Sequence, residues 1–139
     1  MKVRDIMTTS VLTIPEDSTV EDAARVMRDR NVGLLPIGDR QHVAGVISDR
    51  DITIRVTAES KDPKRTPVRE AMSTDNAYCF DDQDVEDACF MMEEKHVRRL
   101  LVLDRRLGLI GILSLDDVAA RGRKEKLAGY ALSKLQRAA

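Results

Sequence analysis

The chain is 139 residues long, which suits one compact domain or two very small fused ones and excludes a large multidomain enzyme. Its 42% hydrophobic content is ordinary for a globular protein, while 23 Lys and Arg against 24 Asp and Glu leave a formal net charge of -1. No overall field therefore draws it to nucleic acid or to an acidic membrane. No apolar run approaches the roughly 18 residues of a membrane-spanning helix, and the opening MKVRDIMTTSVLTI lacks the apolar stretch and cleavage site of a secretory signal. A cytoplasmic protein with no membrane partner is expected.

Taken in chain order, Val11 to Ile14 reads as a short strand stopped by Pro15. Ser18 with Glu21 forms a capping box opening a helix whose apolar stripe is Val20, Ala23, Ala24 and Met27. Leu34 to Ile37 and Val43 to Ile47 read as a hairpin across Gly38-Asp39-Arg40-Gln41, and a helix from Ser48 or Asp49 carries Ile52 and Val56 on one side. A second series follows: a strand Ala77 to Phe80, a helix from Asp84 with Val85, Ala88, Cys89 and Met92 inward, strands Leu100 to Leu103 and Leu109 to Leu113, and a helix from Ser114. The tail places Leu127, Ala131, Leu135 and Ala138 at helical spacing, either to pack on its own domain or to dock on a second subunit.

The two series are copies. Val3-Arg4-Asp5-Ile6-Met7 returns as Val68-Arg69-Glu70-Ala71-Met72, and Val20-Glu21-Asp22-Ala23 as Val85-Glu86-Asp87-Ala88, a shift of 65. After one inserted residue the shift becomes 66 and pairs Gly45-Val46-Ile47-Ser48 with Gly111-Ile112-Leu113-Ser114, and Asp51 with Asp117. The organisation is a first domain 1–60, a linker 61–67, a second domain 68–121 and a helical tail 122–139. A unit of about 55 residues with few aromatics supplies a small core, so each copy is expected to bury a sheet face against its twin.

The two cysteines, Cys79 and Cys89, with no CxxC and no clustered His, read as buried thiols rather than a zinc site or a disulfide. His42 and His96 are isolated, His96 at a helix end where a cation suits the dipole. Asp81, Asp82 and Asp84 lack the glycine and distal glutamate of a calcium loop and read as a negatively charged helix start. No Ser/His/Asp, Cys/His or glycine-rich phosphate loop occurs, so neither catalysis nor a required cofactor nor a metal is expected. Positive charge in the linker and tail comes without interleaved aromatics, which argues against nucleic acid.

The segments with chemistry are Gly45-Val46-Ile47-Ser48-Asp49-Arg50-Asp51 and Gly111-Ile112-Leu113-Ser114-Leu115-Asp116-Asp117, each a strand end feeding a helix start. Unpaired amides and the positive helix end favour an anion there, and a hydroxyl with a carboxylate can hold ribose. Ser-x-x-Asp at a helix start is equally close to a capping box, with Ser48 and Ser114 as N-caps.

The repeat order, the G-h-x-S-x-x-D endings, the segments Asn31-Val32-Gly33-Leu34-Leu35-Pro36-Ile37 and His96-Val97-Arg98-Arg99-Leu100-Leu101-Val102, and the opening Val-Arg-x-x-Met together resemble cystathionine-β-synthase (CBS) domains. Two in tandem form a Bateman module. The resemblance implies an α+β (α/β) fold of two pseudo-twofold related βαββα units, each a small mixed sheet packed with helices, and a homodimer. It also implies clefts that bind an adenine-containing small molecule (AMP, ADP, ATP, NAD or S-adenosylmethionine), sensed on behalf of an unknown effector protein. One cleft would combine Val46, Ser48, Arg50 and Asp51 with Ala77, Val97, Arg98 and Arg99; the other would combine Ile112, Ser114 and Asp117 with Leu12, Val32, Gly33 and Leu34. Arg98, Arg99 and Arg50 would favour phosphate at the Asp51 cleft, whereas Gly33, Leu34 and Asp116 stand in their places at the other. Leu101, where the family commonly has proline, is a departure bearing on strand-end geometry. The alternative is the same fold as a ligand-free structural dimerisation module.

Overall fold

The computed structural model describes residues 1–106 and 108–138, with the backbone alone for 137 and 138, so the side chain of Ala138 and all of Ala139 lie outside the described residues. The chain divides into two compact units, one of Leu12–Asn76 and one of Met1–Val11 together with the residues from Ala77 onward. Sequence copy and compact unit therefore do not coincide. The opening segment of the first copy, a 3₁₀ turn at Val3–Asp5, belongs to the unit built on the second copy, and its repeat, a 3₁₀ turn at Val68–Glu70, belongs to the unit built on the first.

In the unit Leu12–Asn76, helix α1 (Val20–Arg30) is capped by Thr19 and not by Ser18. Both Ser18-x-x-Glu21 and Thr19-x-x-Asp22 satisfy the capping-box spacing. Thr19 takes the role because its backbone is extended, and its Oγ1 and the Asp22 carboxylate exchange bonds with each other's amides at 3.1 Å. The Ser18 backbone is engaged elsewhere, its N–H on Pro15 O and its carbonyl with Val68 N–H at 2.8 Å. Val20, Ala23 and Met27 are buried as expected, but Ala24 is exposed and Val26 covers that flank instead. Asn31 closes the helix in the left-handed region.

Strands β1 (Leu34–Gly38) and β2 (Val43–Ser48) form the antiparallel hairpin, in register from Leu34 opposite Ser48. Helix α2 (Asp49–Ile52) runs on into a wider π turn, Thr53–Thr57, that carries Val56 into the core. The strand expected at Val11 to Ile14 is reduced to one parallel bridge, Ile14 to Ile37. Proline explains the loss: Pro36 has no N–H to give the carbonyl of Leu12, and Pro15 none to continue the ladder.

The other unit shows the counterfactual. Leu101 stands where Pro36 stands in the first copy, and its N–H donates to Ala77 O at 3.0 Å. A true strand β3 (Tyr78–Phe80) forms there, parallel to β4 (Arg99–Asp104), which pairs antiparallel with β5 (Gly108–Ser114), giving the order β3-β4-β5. Helix α3 (Val85–Lys95) lays Val85, Ala88, Cys89 and Met92 onto this sheet, and α4 (Leu115–Ala120) follows β5 directly. The tail is helix α5 (Glu125–Ala138), which buries Ala128 and Ala131 in the same cluster and lays Leu127, Leu132 and Leu135 against it. Lys134 reaches Glu93 of α3 at 3.6 Å. The tail thus packs on its own unit.

Cys79 and Cys89 are buried free thiols, and burial pushes them up to about 12 and about 11 respectively. Asp81, Asp82 and Asp84 are met by Arg4 at 3.7 Å, Arg105 at 3.0 Å and Lys2 at 3.2 Å, so the acidic run before α3 is matched by cations from two other segments. Among the described residues no helix is long and apolar enough to cross a membrane, and no three His, Cys, Asp or Glu side chains are grouped so that they could hold a metal ion.

Candidate functional site

Both copies build the same junction. In the first, β2 ends at Ser48 in extended conformation, its Oγ accepts from Asp51 N–H at 3.1 Å, and an Asp51 carboxylate oxygen accepts from Ser48 N–H at 2.8 Å. In the second, Ser114 and Asp117 repeat this at 3.1 and 3.0 Å. The capping reading of Ser-x-x-Asp is therefore realised twice. It uses only part of each carboxylate, since two oxygens carry about four acceptor positions. Neither aspartate faces bulk water: the Asp51 side chain is 15% exposed and that of Asp117 13%.

Two features escape a reading of the motif alone. An arginine four residues on approaches each aspartate, Arg55 at 3.8 Å from Asp51 and Arg121 at 3.9 Å from Asp117. Each also donates to a methionine carbonyl of the returning opening segment, Arg55 Nη1 to Met72 O at 3.0 Å and Arg121 Nη1 to Met7 O at 3.2 Å. The signal was present in the sequence, because the 66-residue shift that pairs Asp51 with Asp117 also pairs Arg55 with Arg121.

The second feature is the return of that segment onto the strand. Ser73 and Val46 exchange backbone bonds at 2.8 and 2.9 Å, and Thr8 and Ile112 do so at 2.9 Å each. Gly45 and Gly111 make room for it: a Cβ at Gly45 would lie 2.6 Å from Ser73 O, and one at Gly111 2.9 Å from Thr8 O. Thr8 adds a difference between the copies, since its Oγ1 reaches both Asp117 oxygens at 3.4 and 3.5 Å.

The remaining expected residues divide by unit. Leu12, Val32, Gly33, Leu34, Val46, Ser48, Arg50 and Asp51 belong to the first; Ala77, Val97, Arg98, Arg99, Ile112, Ser114 and Asp117 belong to the second. Within the first, Gly33 O accepts from Asp49 N–H at 2.9 Å and Leu34 pairs with Ser48; Leu12 and Val32 are exposed apolar side chains. Within the second, Arg98 O accepts from Leu115 N–H at 3.1 Å and Arg99 pairs with Ser114. The side chains of Arg50, Arg98 and Arg99 are in exposed residues, and none forms an ion pair among the described residues.

A family model for the CBS domain matches residues 3–57 and again residues 68–123, bracketing the two junctions in turn. The chain belongs to the CBS-domain family. The pair is similar to the CBS domain-containing protein YhcV of Bacillus subtilis, 37% identical over 133 residues covering 96% of this chain and 94% of that one. Among solved structures it resembles a CBS-domain protein of unknown function from Thermoplasma acidophilum, with a TM-score of 0.84 and 26% identity over 98% of this chain and 76% of that one. It also shares its fold with the CBS domain pair of protein MJ0100, with a TM-score of 0.77 and 21% identity over 90% of this chain and 98% of that one; that pair was solved with 5'-methylthioadenosine and S-adenosyl-L-methionine. A tandem CBS pair is a regulatory module.

Proposed function

We propose that this pair senses an adenine-containing ligand, namely AMP, ADP, ATP, NAD or S-adenosylmethionine, and passes its bound state to an effector protein as a homodimer, without catalysing a reaction. The observation that carries the reading is the twice-built strand-to-helix junction, in which a serine and a mostly buried aspartate stand at a helix entrance. Such a carboxylate accepts from both vicinal hydroxyls of a ribose. The MJ0100 pair, solved with 5'-methylthioadenosine and S-adenosyl-L-methionine, supports this reading.

In this reading Val46, Ser48, Arg50 and Asp51 serve one ligand site on the first unit, and Ile112, Ser114 and Asp117 serve another on the second. Arg50, exposed and in no ion pair among the described residues, supplies a planar donor for phosphate beside Asp51. Asp116 stands in its place beside Asp117. Binding shifts the population of dimer states only by its differential affinity for them.

Calorimetric titration with the five ligands tests this. Saturable binding that weakens more in Asp51→Ala than in Asp117→Ala is expected; no response to any of them at millimolar concentration refutes ligand sensing, and equal losses refute the asymmetry. A second reading, a ligand-free dimerisation module, is favoured by the closed capping boxes at both serines. It requires a dimer whose assembly and melting temperature ignore every one of these ligands.

A further inference from the structure

A charged pocket lies at the end of the β3-β4-β5 sheet remote from the motif. Strand β4 begins at Arg99 opposite Ser114 and ends at Asp104 opposite Gly108. At ~3.3 Å per residue its far end stands roughly 17 Å from the strand-to-helix junction. There Arg4, Asp81, Asp82, Asp104, Arg105 and Arg106 line an open pocket of about 330 Å³. All six belong to the unit of Met1–Val11 and the residues from Ala77 onward.

In this wall three arginines balance three aspartates. A purely anionic ligand is repelled by one set and a purely cationic ligand by the other, whereas a molecule bearing one charge of each sign gains from both. The charges are unequally committed. Arg105 is fixed on two sides, its Nε and Nη2 donating to Asp82 at 3.0 and 3.3 Å and its guanidinium lying 4.1 Å over the Phe80 ring. Its remaining N–H donors are thereby held in place. Arg106 gives its backbone N–H to Asp104 Oδ1 at 2.7 Å, and its exposed side chain is in no ion pair among the described residues. Asp81 is met by the half-exposed Arg4 at 3.7 Å, too far for a hydrogen bond. Such a pair contributes little, so Asp81 can exchange Arg4 for a ligand at small cost.

The other copy lacks both features. Gln41 stands for Arg106, its N–H on Asp39 Oδ1 at 2.8 Å, and Pro15, at the place of Phe80, offers no aromatic face. We propose that the pocket of the second copy binds a free α-amino acid, its carboxylate on Arg106 and Arg105 and its ammonium on Asp81. A planar carboxylate matches the guanidinium fork, an ammonium matches a carboxylate, and the volume suits a small molecule. The site shares no residue with the two aspartate junctions and stands whether or not those bind a nucleotide.

Titration of isotope-labelled protein with the protein L-α-amino acids, read by magnetic resonance at the arginine Nε–H groups, tests this. Saturable shifts of Arg105 and Arg106 at millimolar concentration are expected from at least one amino acid; none from any of them overturns the proposal. The matching α-hydroxy acid and the decarboxylated amine each keep one charge and are expected to bind about tenfold more weakly, the scale of one charge-assisted hydrogen bond. Either of them binding as tightly as the amino acid overturns the dipolar ligand. Arg106→Gln, which installs the residue of the other copy, is expected to lose about tenfold in affinity. Asp81→Asn is expected to lose affinity for the amino acid while keeping that for the hydroxy acid. Unchanged affinity in either variant overturns the site.

Discussion

Adding one methyl group at Gly45 tests whether the returning segment really rests on the strand that carries the motif. The built Cβ lies 2.6 Å from Ser73 O and 2.8 Å from Met72 Sδ, and Cβ contacts under 3.0 Å essentially never occur. The Met72 side chain can swing aside. The Ser73 carbonyl must retreat by about 0.4 Å merely to reach that limit, and it is held by the Val46 N–H at 2.9 Å, while Ser73 N–H holds Val46 O at 2.8 Å. Overpacking of this sort costs ~1–3 kcal/mol, and the stiffer unfolded chain of alanine offsets ~0.4–1 kcal/mol of it. A net loss of about 1–2 kcal/mol is expected for Gly45→Ala, a melting temperature lower by roughly 4–8 °C. Gly111→Ala costs less, because its tightest contact is the flexible Met7 Sδ at 2.8 Å and the Thr8 carbonyl is already 2.9 Å away. Urea unfolding followed by circular dichroism measures both. Gly45→Ala at least as stable as Gly111→Ala would refute the reasoning, since the segment could not then lie where the two bonds put it.

Three further perturbations separate other causes. Gly129→Ala, at an exposed position of α5 with nothing within 4 Å, is expected to stabilise by ~0.5–1 kcal/mol through helix propensity alone, and a destabilised variant would contradict the open surface there. Leu101→Pro removes the N–H that holds Ala77 O and is expected to cost ~1–3 kcal/mol and to reduce β3 to the single bridge of the first copy, measured as loss of amide-exchange protection at Asp81, whose N–H donates to Leu103 O. The buried thiols fix a pH dependence: Cys79 and Cys89, raised to about 12 and about 11, stay protonated when folded, while in the unfolded chain they ionise from about pH 8.5. The folded state then binds more protons, so stability falls as pH rises from about 8.5 toward 11. The urea midpoint measured from pH 8 to pH 10 is expected to fall, with both thiols silent to an aqueous disulfide reagent until unfolding; fast labelling of native protein refutes the burial.

The hairpin of β1 and β2, α3 with its inward stripe and the two strand-to-helix turns were legible because each rests on local rules, alternation, a 3.6-residue period and a capping residue. Thr19 displaced Ser18 because two overlapping boxes satisfy the same rule and only the backbone angle decides between them. Ala24 was misread as inward since alanine on a helix is too small to declare its side. The strand at Val11 to Ile14 failed for a non-local reason: the missing donor belongs to Pro36, twenty-two residues beyond Ile14, and only its comparison with Leu101 shows what one N–H contributes.

The housing of the opening segments was the least legible, and it matters most for the site. Sequence similarity assigns Val3 to Met7 to the first copy, yet Thr8 pairs with Ile112 and bonds Asp117, while Ser73 pairs with Val46. Periodicity reports which face of an element is apolar and says nothing of which of two near-identical strands receives it. The exchange has a mechanical consequence. Arg121 grips the carbonyl of Met7, and Arg55 that of Met72, so each motif aspartate is two contacts away from a segment that leads directly out of its unit, at Val11 in one case and at Asn76 in the other. On the proposed sensing reading, a ligand that draws Asp51 or Asp117 toward its ribose would compete with the arginine for the same carboxylate, and the segment tied by that arginine would be the element whose equilibrium binding biases.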